Sequence, residues 1–178
     1  YAQLGDGSTI DRSTPAQVTV PKVTAIAAGY GHTVALKNVG TVWAWGYNNY
    51  GQLGDGTTTD RYTPVQVTGL TGVTAVVAGD VHTLALKDDG TVWAWGYNSS
   101  GRLGDGTTTN RSTPAQVTGL TGVTAVASGA YHMVTLKDDG TLWAWGNNGS
   151  GQLGDGTTTD RYTPVQATGF PLEFRLNN

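Results

Sequence analysis

A chain of 178 residues with 10 basic and 13 acidic side chains and a net charge of −3 carries no electrostatic footprint for nucleic acid and no basic amphipathic stretch for a membrane surface. It has no cysteine, which removes disulfides, thiol chemistry and zinc–thiolate sites, and its longest apolar runs, such as Ala75-Val76-Val77-Ala78, are far too short to cross a bilayer. The 27 glycines and abundant threonine favour turns and short strands.

In chain order, Tyr1-Ala2-Gln3-Leu4-Gly5-Asp6-Gly7 is the tail of a motif that returns in full three times, from Thr41, Thr91 and Thr141. Leu53, Leu103 and Leu153 lie 50 residues apart. A fixed long period means stacked structural units, each burying its apolar faces against its neighbours. The chain divides into a partial unit at 1–20, repeats at about 21–70, 71–120 and 121–170, and a non-repeat C-terminal strand at 171–178. In that last piece Leu172, Phe174 and Leu176 alternate with Glu173 and Arg175. Tyr1 opens inside a motif in place of a start methionine, so the chain reads as a processed or excised piece from which a signal peptide could have been lost.

One unit runs from Thr63 to Arg111. Thr63-Pro64-Val65-Gln66-Val67 is extended, and its proline suits an edge strand, where no ladder N–H is needed. The same reasoning places an edge strand at Thr14 to Val18. Val73 to Ala78 is rich in β-branched and small residues and reads as a strand. In His82 to Lys87 leucines occupy one face and small residues the other. Asp88-Asp89-Gly90 then turns the chain into Thr91-Val92-Trp93-Ala94-Trp95-Gly96. The first unit has Val39 where Asp89 stands, and a β-branched residue is costly at positive φ. A type I turn followed by a left-handed glycine, at Gly40, Gly90 and Gly140, is therefore expected.

Trp93 and Trp95 share one strand face, with Val92 and Ala94 on the other. Neither face is polar, so both are covered. A two-sheet sandwich would leave one face of each sheet wet, whereas radially stacked blades cover both. No stretch has sustained helical periodicity. The connection from Gly96 to the next Thr-Pro is too long for a bare loop, and Leu103 is expected to anchor it, with Asp105 closing an Asx-turn.

Val-Trp-Ala-Trp-Gly, then Gly-Gln-Leu-Gly-Asp-Gly, Thr-Pro-Val-Gln-Val and Ala-Gly-x-x-His-Thr-Leu-Ala-Leu resemble the repeat of the regulator of chromosome condensation family, over nearly the whole chain. The resemblance implies an all-β fold: β-propeller blades of about 50 residues each, here a partial or oligomer-completed form of the family's seven-bladed propeller. The regular Gly-Asp-Gly-Thr-Thr variant looks most like bacterial members, often parts of large exported proteins. An extracellular or cell-surface bacterial setting is therefore expected, with the cytoplasm as the alternative. The founding member exchanges guanine nucleotide on a small GTPase through surface loops that include an inserted wedge. These repeats contain no such insertion, and fold alone does not carry the activity.

His32, His82 and His132 recur at one position, each in its own unit. A structural role is expected, one ring nitrogen bonding a backbone carbonyl, rather than a metal site or a catalytic base. Asp6, Asp55, Asp105 and Asp155 lack the alternating ligands of a calcium loop and read as turn residues. The glycine-rich Gly101 to Gly106 is followed by neither a lysine nor a helix, which excludes a phosphate loop. No catalytic, cofactor-binding or metal-ligating residue is assigned, and no enzyme activity is expected. Asn98, Asn110 and Asn148 begin glycosylation sequons of the kind such a composition produces by chance. Trp43, Trp45, Trp93, Trp95, Trp143 and Trp145 are read as structural, with the three histidines.

Positions that differ between repeats are the candidate contact residues. They are Tyr30, Asp80, Val81 and Tyr131 in the slot before the histidine, and Tyr50 in a second loop where Ser99-Ser100 and Gly149-Ser150 stand in the other repeats. The expected function is a non-catalytic, protein-binding scaffold module; the alternatives are a carbohydrate-binding propeller and guanine-nucleotide exchange on a small GTPase. The expected partner is a protein or a second copy completing a propeller as a homodimer, with carbohydrate as the alternative and neither nucleic acid nor membrane insertion.

Overall fold

The computed structural model describes residues 1–168. The expected strand at Leu172 to Leu176 lies outside the described residues. Among the described residues twelve strands form three four-stranded antiparallel sheets. Blade 1 comprises β1 (Val23–Ala28), β2 (His32–Lys37), β3 (Val42–Gly46) and β4 (Arg61–Gln66). Blade 2 comprises β5 (Val73–Ala78), β6 (His82–Lys87), β7 (Val92–Gly96) and β8 (Arg111–Gln116). Blade 3 comprises β9 (Val123–Ser128), β10 (His132–Lys137), β11 (Leu142–Gly146) and β12 (Arg161–Gln166). Strands pair in chain order within each blade, and successive blades meet through their first strands, β5 on β1 and β2, β9 on β5 and β6.

The β6–β7 turn closes as the repeats require. Gly90 takes φ 76° and donates to Lys87 O at 3.0 Å, while Lys87 N–H donates to Thr91 O at 2.9 Å. Gly40 and Gly140 do the same at φ 72° and 82°, so Val39 is spared positive φ. The proline-bearing strands β4, β8 and β12 lie outermost, but they start at Arg61, Arg111 and Arg161, two residues before the expected threonine. The expected edge strand at Thr14 to Val18 is not formed. An edge strand needs a β3-type neighbour, and the partial unit has no tryptophan hairpin to pair with.

The alternation of β7 divides it between two cores. Trp95 faces blade 1 and packs with Val34, Leu36, Val42 and Ala44; Val92 and Ala94 face blade 3 and pack with Met133 and Trp145. Both faces of the middle sheet are thereby covered, as stacked blades demand. The two tryptophans of each hairpin differ in depth. Trp95 and Trp145 are fully buried, whereas Trp43, Trp93 and Trp143 are half-buried and lie beside Lys37, Lys87 and Lys137.

The long connections are straps. Residues 47–60 leave blade 1 and cross onto blade 2. There Leu53 is buried against Trp95, Gln52 O accepts Trp95 Nε1–H at 2.9 Å, and Gly56 N–H donates to Ser112 O at 2.9 Å. Residues 97–110 strap blade 3 in the same way, through Leu103, Arg102 O and Gly106. Gly104 takes φ 67°, and a Cβ there would fall 2.7 Å from Trp145 Nε1, so the strap reaches the ring only with glycine at this point. The partial unit at the start of the chain performs this service for blade 1, where Gln3 O accepts Trp45 Nε1–H at 2.9 Å.

Each strap is held by one asparagine. Asn98 Nδ2 donates to Thr107 O and Thr109 O, and its Oδ1 accepts Leu103 N–H. Asp105 closes the expected Asx-turn: Oδ1 accepts Thr107 N–H at 3.0 Å and Oδ2 takes Arg111 at 2.8 Å. Burial works against ionisation of Asp105, but the Thr107 and Arg111 donors hold its carboxyl below the usual range. Asp55 and Asp155 are arranged likewise. Asn98 and Asn148 are fully buried with their amides engaged, which closes these two sequons to modification in the folded chain.

Candidate functional site

Adjacent antiparallel strands bring the β1–β2, β5–β6 and β9–β10 loops to the same end of the stack as the beginnings of the straps. Tyr97 N–H donates to Val81 O, as Tyr47 does to Gly31 O and Asn147 to Tyr131 O. All five candidate contact residues, Tyr30, Tyr50, Asp80, Val81 and Tyr131, therefore lie at one end. The short loops are also joined across blades: Tyr30 N–H donates to Asp80 O at 3.0 Å and Asp80 N–H to Ala130 O at 3.3 Å. This backbone chain fixes the spacing of the loop side chains from blade to blade.

Along this end runs a row of rings. Tyr1 and Tyr47 are 4.6 Å apart between centroids, Tyr47 and Tyr50 6.1 Å, and Tyr50 and Tyr97 4.5 Å. The row continues through the Arg102 guanidinium, 4.8 Å from the Tyr97 ring and 5.0 Å from the Tyr131 ring. Tilted pairs at these separations and stacked guanidinium–ring contacts are favourable. Tyr30 is 72 % exposed and Tyr131 48 %, so the end presents aromatic surface to solvent.

Arg102 is the one residue of its kind in the repeat series, where Gln3, Gln52 and Gln152 stand in the other units. That departure was visible in the sequence. Its meeting with Tyr97 and Tyr131 was not, because Tyr131 belongs to the next blade. Burial lowers the Arg102 pKa below its ordinary value, against the opposing effect of Tyr97, Tyr131, Asp80 and Asp160. The Asp80 carboxylate, as acceptor, raises the Tyr131 hydroxyl.

His32 and His82 lie at the joints between blades, and for them the expected backbone-carbonyl partner is corrected: side-chain hydroxyls of the next blade take that place. His32 Nε2 is 3.0 Å from Thr83 Oγ1. Thr83 donates its own proton to Gln52 O at 2.9 Å, so His32 is the donor and carries its proton on Nε2. His82 Nε2 lies 3.5 Å from Ser128 Oγ, which donates to Gly129 O. Burial pushes His32 down to about 4 and His82 well below its ordinary value; His132, less enclosed, is also lowered by burial. The rings of His32 and His82 are each spent, through Nε2, on an interblade hydrogen bond. Among the described residues no three histidine, aspartate or glutamate side chains gather as metal ligands.

Three stacked, strap-bound, four-stranded blades define a propeller segment with a loop-bearing aromatic end. A sequence profile of the RCC1-like domain matches residues 1–177, and the chain belongs to that family. The fold is similar to that of Prp20p from Saccharomyces cerevisiae, in a crystal structure described with its binding properties to Gsp1p and histones (TM-score 0.83, 21 % identity, 94 % of this chain and 44 % of that one). It is also similar to human WBSCR16 (TM-score 0.81, 26 % identity, 94 % and 46 %) and to yeast RCC1 (Prp20) bound to Kap60 (TM-score 0.81, 21 % identity, 94 % and 43 %). The chain thus spans less than half the length of these relatives.

Proposed function

We propose that this chain is a non-catalytic protein-interaction module whose contact surface is the loop-bearing end. The observation that carries the reading is the gathering of Tyr30, Tyr50, Asp80, Val81 and Tyr131, all at positions where the repeats differ, on one end of a rigid stack. Rigid aromatics at a fixed spacing supply contact area at low entropic cost. Family membership supports it as well, since Prp20p is described as binding other proteins. The test is selection of a displayed random-peptide library on the chain and on a Tyr30→Ser/Tyr50→Ser variant. Peptides that bind the first and lose the second are expected; the same peptides on both, or none on either, would remove the reading.

Carbohydrate binding is the second reading, favoured by the exposed rings of Tyr30 and Tyr131. A glycan array answers it: saturable binding there, with no selected peptides, would replace the protein partner. Guanine-nucleotide exchange has less support, because the straps are of equal length in all three repeats and carry no inserted wedge. A nucleotide-release assay on small GTPases decides that point. The setting we favour remains extracellular or cell-surface in a bacterium, and locating the native protein by cell fractionation checks it.

Among the described residues the outer faces of the stack are open. Ile26 is 74 % exposed where its equivalent Val76 is 7 %, and Leu136 on blade 3 is 39 % exposed where Leu86 is 5 %. Such faces take another blade, from the same polypeptide or from a second copy. For the 178-residue chain by itself the proposal is a homodimer. Light scattering that returns the 18.5 kDa monomer at micromolar concentration would end it.

A further inference from the structure

We infer that the joint of blades 2 and 3 on the loop-bearing end is a carboxylate-recognition site, built on Arg102, for an acidic segment of a partner polypeptide. This rests on the interaction-module reading above and names its chemistry. The departures from the repeat converge here. Arg102 replaces glutamine, Ser99 stands where the other repeats have Asn49 and Gly149, Asp80 where they have Tyr30 and Ala130, and Tyr131 where they have Gly31 and Val81. One departure from an otherwise constant residue, Arg102, thus meets three positions at which no two of the three full repeats agree.

Arg102 is 4 % exposed, and its guanidinium lies over the rings of Tyr97 and Tyr131. Its edges are unprovided for. Nη2 makes one long bond to Ser99 Oγ at 3.4 Å, while Nε and Nη1 are buried with no acceptor. A buried cation with unpaired N–H groups is unfavourable, and ring faces replace only part of its hydration. The arginines that open β4, β8 and β12 are different: Arg61, Arg111 and Arg161 each give Nε–H to an aspartate of the strap before them. Among the described residues the nearby Asp80 and Asp160 form no ion pair with Arg102, and Asp160 is bonded to Asn147 and Asn148. A carboxylate matches the vacant edge, since its two oxygens accept parallel N–H donors. Tyr131, half exposed on the short β9–β10 loop, is the cover that turns aside to admit it. An acidic segment then lies along the exposed tyrosines with one side chain on Arg102.

The experiment titrates the ¹⁵N-labelled chain with hexaglutamate, following the arginine Nε–H resonances. The Arg102 signal, identified by its loss in R102Q, is expected to shift saturably while those of Arg61, Arg111 and Arg161 stay fixed. R102Q installs the residue of the other three units, so the fold is kept; it is expected to weaken hexaglutamate about tenfold or more. D80A installs the alanine of blade 3 and removes a neighbouring negative charge, and is expected to tighten binding several-fold. No shift, equal affinity in R102Q, or a matching response to hexalysine would overturn the site. Saturation by acetate at equal carboxylate concentration would overturn the peptide source. Peptides selected on the loop-bearing end that are not acidic, with hexaglutamate silent, would defeat this assignment and leave the interaction-module reading standing.

Discussion

At the joint of blades 1 and 2, His32 reaches Thr83 on β6, and Thr83 passes its proton to the strap carbonyl of Gln52. At the joint of blades 2 and 3 the residue equivalent to Thr83 is Met133, fully buried beside Trp145, and His82 turns to Ser128 on β9, where blade 2 has Ala78. Each blade thus offers the preceding histidine one hydroxyl, but from a different strand. The straps differ in step: neutral Gln52 lies under the first joint, Arg102 between two tyrosines under the second. Identical repeats would make every joint interchangeable, and near-identical blades then stack out of order or exchange between copies. These paired changes give the buried ring's Nε2 a hydroxyl partner at each joint while making the joints chemically distinct.

The largest expected effect tests what the joints share. Trp95→Ala and Trp145→Ala each remove a ring worth up to roughly 4–6 kcal/mol of burial and should cost on the order of 3–5 kcal/mol in urea unfolding. Trp93→Ala, half-buried, should cost clearly less. Equal losses at Trp93 and Trp95 would contradict the assignment of the deep tryptophan to the joint.

The next effect is acid sensitivity. His32 is held near 4 by burial against an ordinary 6.5, so the unfolded chain takes up the proton first. Its contribution is fully present above pH 6.5 and drains away as pH falls towards 4, by about 3 kcal/mol. Asp55 and Asp105, lowered by their donors, weaken the straps only at more acid pH. Urea midpoints between pH 7.5 and 4 should fall steeply, and His32→Gln should flatten the upper part of the slope. An unchanged slope would mean the ring titrates freely.

A smaller effect separates the joints. Thr83→Met gives blade 2 the residue of blade 3 and strands His32 Nε2, at a cost of about 1–3 kcal/mol. Ala78→Ser added to it restores a hydroxyl from the strand blade 3 uses, and the pair should recover part of the loss. In the double-mutant cycle a coupling energy near zero would show that the two strands do not share the histidine. Smallest is Arg102→Gln, which equalises the straps; exchanging an under-compensated buried cation for a neutral amide should leave stability within about 1 kcal/mol or raise it. A large loss would mean that Arg102 holds the joint together.

The sequence by itself determined the repeat unit, its turns and the faces of its strands. The 50-residue period sets the unit, Val39 at the turn demands a glycine bulge, and the alternation of Val92-Trp93-Ala94-Trp95 demands cover on both sides. These are local constraints, written within a few residues. The missing strand at Thr14 to Val18 marks their boundary, because a strand exists only beside its partner, however extended its own residues are. Tertiary structure alone decided that residues 47–60 belong to the next blade, and that the five variable residues share one end. It also decided that His32 answers to Thr83, 51 positions away. When repeats are nearly alike, the pattern within one cannot say which neighbour it will touch; stacking makes that choice, and it places Arg102 against a tyrosine of the following blade.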